Sequence, residues 1–387
     1  MEQKKILNLE NDPFLKLSET IENSYVQQWK QEGKKVLGYY CTYIPEELIH
    51  AAGILPYRIR TTGHISDNLA DIYMVRFTCG YVRLSLDMAL RGGYNFLDGL
   101  FVSNSCDHSR RMYEIFDLTV FERDTYTAKP PCFYTAVPHV LTEEGLEWYK
   151  REVRNFKNEL LDEYNIPEIT AKKLTNSIEI YNKNRELLRE IHGYRKRKQP
   201  KLTGKEFLKI TMANSSVPKE IANRELKRIL KKLKERLALE NNKKRIMLVG
   251  SVIDNVDFIT LVEKAGASIV SDMLCFGTRN IIDDVKTTSD PLKSIVERTY
   301  YRLSCPRFMD DHSRRFDYII KEIKEGNVEG VILQRINNCD LHGCENMMCE
   351  HDLKSLGIPV FNIDREATQS DYTRLRTRIE AFLEMIK

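Results

Sequence analysis

The chain has 387 residues, of which 42% are hydrophobic and 30% charged, and 60 basic against 56 acidic side chains leave a formal net charge of +4. That balance excludes a dedicated nucleic-acid binder, which carries a basic excess, and no apolar run reaches the ~20 residues a membrane-spanning helix needs. The length implies two domains. The polar, charged stretch 1–12 lacks the apolar core of a signal peptide. This reads as a cytoplasmic protein whose nine cysteines are thiols or metal ligands, not disulfides.

Residues 14–35 read as one amphipathic helix ending near Gly33. A β-rich run follows at 36–43, and Pro45 opens a helix over 46–52 that Gly53 stops, the usual proline-first, glycine-last asymmetry. Strands are expected at 55–59, 73–78 and 96–103, with helices at 81–91 and 108–116. Alternating strands and helices imply a parallel sheet with helices on its faces.

Residues 143–243 are rich in Glu, Lys, Arg and Leu and show long helical periods. The charged runs 181–201 and 224–245 read as solvated helix faces. A second alternating region begins at Arg245, with strands at 246–250, 267–273, 331–334 and 360–363. Its helices are expected at 255–265, 311–325, 345–356 and 371–386. The expected architecture is α/β: an N-terminal α/β domain (1–142), a helical connector (143–243) and a C-terminal α/β domain (244–387), with the two sheets parallel and Rossmann-like.

Five cysteines stand where a strand ends and a helix begins: Cys41, Cys79, Cys106, Cys275 and Cys339. In open parallel sheets such positions meet in one crevice at the carboxyl ends of the strands. Helix N-termini stabilise negative charge and favour thiolates, the ligands of iron–sulfur clusters. No Cys-x-x-Cys pair is present, and for any single cysteine a small apolar core residue is at least as good a reading. For Cys132, between Pro131 and Phe133, the core reading is preferred. For Cys79, Cys106 and Cys339 the repeated placement favours a joint role. The five-residue spacing of Cys339, Cys344 and Cys349 does not keep them on one helix face.

Phosphate-loop, dinucleotide-fingerprint, H-E-x-x-H and G-x-S-x-G motifs are all missing from the sequence. His108 and His342 neighbour cysteines, where local hydrogen bonding is the simpler role. Glu46 and Glu47 start a helix beside Cys41; complementing the helix dipole is the ordinary reading, and a catalytic base is the sharper one. Arg110 and Arg111 read as solvated surface.

Four blocks of the sequence share one family likeness. The first is Gly38-Tyr39-Tyr40-Cys41-Thr42-Tyr43-Ile44-Pro45-Glu46-Glu47-Leu48-Ile49-His50-Ala51-Ala52-Gly53, followed by Leu55-Pro56. The second is Asn104-Ser105-Cys106-Asp107 with Arg110-Arg111-Met112-Tyr113-Glu114, and the third Asn338-Cys339-Asp340-Leu341-His342-Gly343 with Gly357-Ile358-Pro359. The fourth is the close, Asp364-Arg365-Glu366 with 373–378 and 382–384. Together the blocks resemble the 2-hydroxyacyl-CoA dehydratase and benzoyl-CoA reductase subunit family, the close being similar to its reductase branch.

The resemblance implies an enzyme subunit, a dehydratase (lyase) or reductase (oxidoreductase), acting on an acyl-CoA thioester by low-potential single-electron transfer. It implies a 4Fe–4S cluster on Cys79, Cys106 and Cys339, with Cys344 leaving the third ligand open, and an acidic residue near substrate at Glu47. It implies a sister subunit or a homodimer and a separate ATP-dependent iron–sulfur activator, in keeping with the lack of a phosphate loop. A branch of double-cubane proteins, homodimeric reductases of small molecules with an 8Fe–9S cluster, shares these blocks; Cys275, Cys305 and Cys41 are the candidates for its extra ligands. A scaffold subunit without chemistry of its own is the alternative from another class.

Overall fold

Among the described residues, eight short strands assemble into two parallel sheets. The computed structural model describes residues 9–122, 129–239, 242–368 and 370–386. The first sheet comprises Val36–Tyr39 (β1), Leu55–Arg58 (β2), Gly99–Ser103 (β3) and Cys132–Thr135 (β4), in the order β2-β1-β3-β4. The second comprises Lys244–Gly250 (β5), Ala267–Met273 (β6), Gly330–Ile336 (β7) and Val360–Arg365 (β8), in the order β6-β5-β7-β8. Every pairing is parallel.

Both faces of each sheet are covered, which is why the strands read as continuous apolar runs. On β1, Leu37 and Tyr39 join one core with Phe101 and Phe156, while Val36 on the opposite face joins another with Leu100 and Val102. On β5, Ile246 and Leu248 face one cluster and Met247 and Val249 the other. The result is the two-sheet α/β architecture expected from the alternation.

The stretch between the sheets is helical: Glu143–Glu163, Ala171–Lys196, Gly204–Asn214 and Lys219–Glu235. Its charges are not all solvated, as the composition had suggested. Glu186 and Lys198 face water, but Arg185, His192 and Arg195 are buried. The helix Ala171–Lys196 packs against other elements on several sides, and each inward charge finds a partner: Arg185 with Glu47, His192 with Glu322, Arg195 with Asp272.

Three other expectations are corrected. Residues 14–35 do not form one helix; Pro13–Lys16, a 3-10 turn Leu17–Glu19 and Ser24–Gln31 replace it. Asn23 restarts the chain, its side chain accepting from the N–H groups of Tyr25 and Val26 at 3.0 and 3.1 Å. Residues 73–78 form turns, not a strand. Their alternating Tyr73, Val75 and Phe77 face solvent, Phe77 at 80% exposure, and local Tyr73→Ala70 and Thr78→Val75 backbone bonds replace a ladder. The helix Pro291–Tyr301 was not anticipated, although its Asp290 cap and Pro291 are standard start signals. Residues 1–8 of the polar N-terminus and residues 240–241 of the connector lie outside the described residues. No described helix is long and apolar enough to cross a membrane.

Candidate metal centre

Three loops bring cysteines to the carboxyl ends of the strands. Cys106 follows β3 and caps the helix Asp107–Ile115; its Sγ accepts the Ser109 N–H at 3.4 Å, and the Ser109 hydroxyl answers to the Cys106 backbone. Cys339 follows β7 and is the N-cap residue of the helix Asp340–Ser355. Cys79 is the N-cap residue of the helix Gly80–Leu90, reached through the turn 73–78 instead of a strand. Gly80 is required there, because a Cβ at that position would stand 2.6 Å from the Cβ of Ala367.

All three cysteines line one cavity of about 420 Å³, together with Asn104, Asp107, His108, Arg110, Tyr134, His139, Arg307 and Met309. Arg307, fully buried, ties the second half of the chain to the Cys106 loop. It donates to the carbonyls of Val137 (2.7 Å), Pro138 (3.0 Å), Asn104 (3.2 Å) and Ser105 (3.3 Å). His108 takes the local role expected of it, its Nδ1 accepting the Cys79 N–H at 3.2 Å. Arg110 faces this cavity, and Cys344 lies on the exposed surface of its helix.

The thiols do not behave as the helix N-termini alone would dictate. Burial pushes Cys79 up to about 12, with Cys106 adding to the rise. Burial also raises Cys106, and burial and then Cys79 raise Cys339. Desolvation and mutual repulsion outweigh the helix ends. Three such sulfurs become stable thiolates together only around a compensating positive centre. Their sulfurs do not converge on a single ion: among the described residues, the one His/Cys/Asp/Glu trio with all ligand atoms within 4.8 Å is His312, Glu345 and Cys349. That trio is a salt-bridge network, because Arg315 holds both Glu345 oxygens at 2.7 and 2.8 Å. Separated thiols around a roomy cavity suit a cluster, whose ligands sit on different irons.

A second cysteine set adjoins the first. Cys41 follows β1, Cys275 follows β6, and Cys305 follows the helix Pro291–Tyr301. The charges of Cys275 and Cys41 bear on Cys305, that of Cys41 on Cys106, and that of Cys305 on Cys339. The Cys275 loop wraps around the Asp272 carboxylate, which accepts from Leu274 N (3.1 Å) and Thr278 N (2.9 Å); Gly277 has no Cβ to obstruct it. Burial alone would raise Cys275, but Arg279, Arg58 and Arg302 bring it below the ordinary thiol value. Arg279 donates directly to its Sγ. Cys132 opens β4 and does not line the cavity.

Glu47 is not brought into the three-cysteine cavity. It is 2% exposed and its Oε1 is 2.7 Å from Arg185 Nη1. Burial pushes its carboxyl up, but Arg185 and Arg298 outweigh burial and hold it below the usual range. Sequence reasoning missed Arg279 and Arg307. Both lie within four residues of a cysteine, a spacing that singles out neither before the fold is known.

Over residues 41–386 the sequence matches the family described as 2-hydroxyglutaryl-CoA dehydratase, D-component. It is 24% identical to the (R)-phenyllactyl-CoA dehydratase beta subunit of Clostridium sporogenes, over 96% of this chain and 97% of that one. It is 23% identical to a subunit of the benzoyl-CoA reductase of Thauera aromatica, over 96% of each. To the (R)-2-hydroxyglutaryl-CoA dehydratase subunit beta of Acidaminococcus fermentans it is 22% identical, over 93% of this chain and 94% of that one. With such a match along nearly its whole length, the chain belongs to the 2-hydroxyglutaryl-CoA dehydratase D-component family.

Proposed function

We propose that the chain is the iron–sulfur subunit of a 2-hydroxyacyl-CoA dehydratase or benzoyl-CoA reductase type enzyme, with a 4Fe–4S cluster on Cys79, Cys106 and Cys339. The observation that carries this reading is the meeting of three helix-capping cysteines at one 420 Å³ cavity. When bound, such a cluster supplies low-potential single electrons and an iron face able to polarise a thioester oxygen. The chain's own part is to hold and shield that centre. The Ser109 backbone N–H bonds the Cys106 sulfur, Arg307 fixes the loop behind it, and Arg110 and Arg307 set positive charge in the wall where an acyl-CoA anion would enter. His108 lies below its ordinary value, burial being the main cause, and so offers a neutral imidazole near pH 7. Glu47 has the role of fixing Arg185 at a separate, smaller pocket. A sister subunit or second copy and an ATP-dependent activator complete the scheme; relatives named as beta subunits support the former.

A second reading is favoured by the second cysteine set. Cys41, Cys275 and Cys305 would give six ligands in all, the complement of a double-cubane 8Fe–9S cluster in a homodimeric reductase of small molecules. Iron and acid-labile sulfide per chain, measured after anaerobic purification, decide between the two. About four irons, lost in Cys106→Ala and untouched in Cys275→Ala, fit the single cubane. About eight, reduced in both variants, fit the double cubane. No iron in folded protein refutes both and leaves a scaffold subunit.

A further inference from the structure

A small cavity of about 40 Å³ lies where the helix Glu46–Ala51, the end of β2, the long helix Ala171–Lys196 and the loop after β6 meet. It shares no lining residue with the three-cysteine cavity. Its wall carries four cations, Arg58, Arg185, Lys219 and Arg298, against two carboxylates, Glu46 and Glu47. Among the described residues only Arg185 is closely paired with a carboxylate of this wall, Glu47 at 2.7 Å, while Lys219 stands 3.8 Å from Glu46. The other two guanidinium groups bond backbone carbonyls: Arg58 that of Cys275 at 2.7 Å, Arg298 those of Asp283 and Asn280 at 3.0 and 2.7 Å. A carbonyl satisfies a donor but does not neutralise its charge.

Two donors in this wall are unspent. Among the described residues, Arg58 Nε and the Tyr181 hydroxyl have no hydrogen-bond partner, although the two residues are only 4% and 3% exposed. Buried orphan donors beside uncompensated positive charge cost free energy unless something occupies the space between them. The room is that of about three water molecules, too little for any part of an acyl-CoA beyond its smallest groups.

We infer that this pocket binds a small oxyanion of about three heavy atoms, of the carboxylate or nitrite type, held by Arg58, Tyr181 and Lys219 against the Cys275 loop. The site rests on its own geometry and stands whether or not Cys79, Cys106 and Cys339, none of which lines it, hold a cluster.

The test is calorimetric titration of formate into the anaerobically purified full-length chain, with iron content measured on the same samples. Saturable formate binding is expected, together with a higher melting temperature in formate. Tyr181→Phe removes only an unpartnered hydroxyl, so the fold is retained, and binding weakens roughly tenfold or more. Arg58→Gln abolishes it. Sulfate, larger by two heavy atoms, binds far more weakly. No formate binding by the unaltered chain overturns the inference, as does equal affinity in Tyr181→Phe or for sulfate.

Discussion

Arg307→Met tests whether one buried guanidinium joins the two halves of the chain at the metal centre. Arg307 is fully buried and donates to four backbone carbonyls, those of Asn104, Ser105, Val137 and Pro138. Methionine fills much of the same volume but donates nothing. The two shortest bonds, 2.7 and 3.0 Å, are the ones whose loss counts most. Each buried acceptor left unpaired costs about 1–3 kcal/mol. Removing a charge paired only with carbonyls returns part of its desolvation cost, so the net destabilisation is about 2–4 kcal/mol. Over 387 residues the unfolding entropy is about 0.8 kcal/mol/K, which converts this to a fall of ~3–5 °C for cooperative unfolding. The assay is anaerobic thermal unfolding, paired with iron content, because the same bonds support the Cys106 loop. Arg307→Lys, which keeps the charge but not the fork, falls between. A variant melting within about 1 °C of the parent, well below the shift expected from the unfolding entropy, with unchanged iron, refutes the tether.

Two further perturbations probe the frame. Asp12 is held at about 2; burial opposes its ionisation, but Arg228 and Lys232 prevail. Its folded value is depressed, so its contribution of about 2 kcal/mol is complete above pH 3.8 and is lost as pH falls toward 2. Asp12→Asn keeps an oxygen for the Phe14 N–H and removes the charge; in urea titrations it should cost that amount at pH 7 and almost nothing near pH 2. Gly80→Ala should cost about 1–3 kcal/mol by overpacking against Ala367, and Gly80→Ala with Ala367→Gly should recover most of it.

The sheets were legible because strands covered on both faces have no polar alternation to confuse them, as at 246–250. The placements of Cys106 and Cys339 were legible for a related reason: strand ends and helix starts are local signals, and a parallel sheet gathers them by topology. What the sequence hid is non-local. Glu47 meets Arg185 across 138 positions, and Arg307 reaches Asn104 across 203; no period or spacing encodes such pairs. The misread strand at 73–78 has the alternation of a strand, but that pattern cannot reveal that the apolar face is left outward, beside the Cys79 loop. The helix expected over 14–35 failed at Asn23, whose side chain gains more by capping a new helix than by staying inside an old one.

The raised thiols also fix the sign of a linkage. Cys79, Cys106 and Cys339 are each shifted upward, mainly by burial, so near neutral pH the empty chain keeps all three protonated. Thiolates are what a cluster binds, so loading must expel about one proton per cysteine. Affinity for the cluster therefore rises with pH until the thiols titrate on their own. Cys275 differs, because Arg279, Arg58 and Arg302 lower it, and it gives up its proton at lower pH than the others. Anaerobic reconstitution in weakly buffered solution with an indicator dye measures the yield. Beyond the protons that the bridging sulfides release, about three per chain are expected when only the first cysteine set is engaged, and more when the second joins it. Iron uptake with no proton release beyond that of the sulfides would mean that the cysteine sulfurs were thiolates beforehand, and would refute three protonated thiols in the cavity.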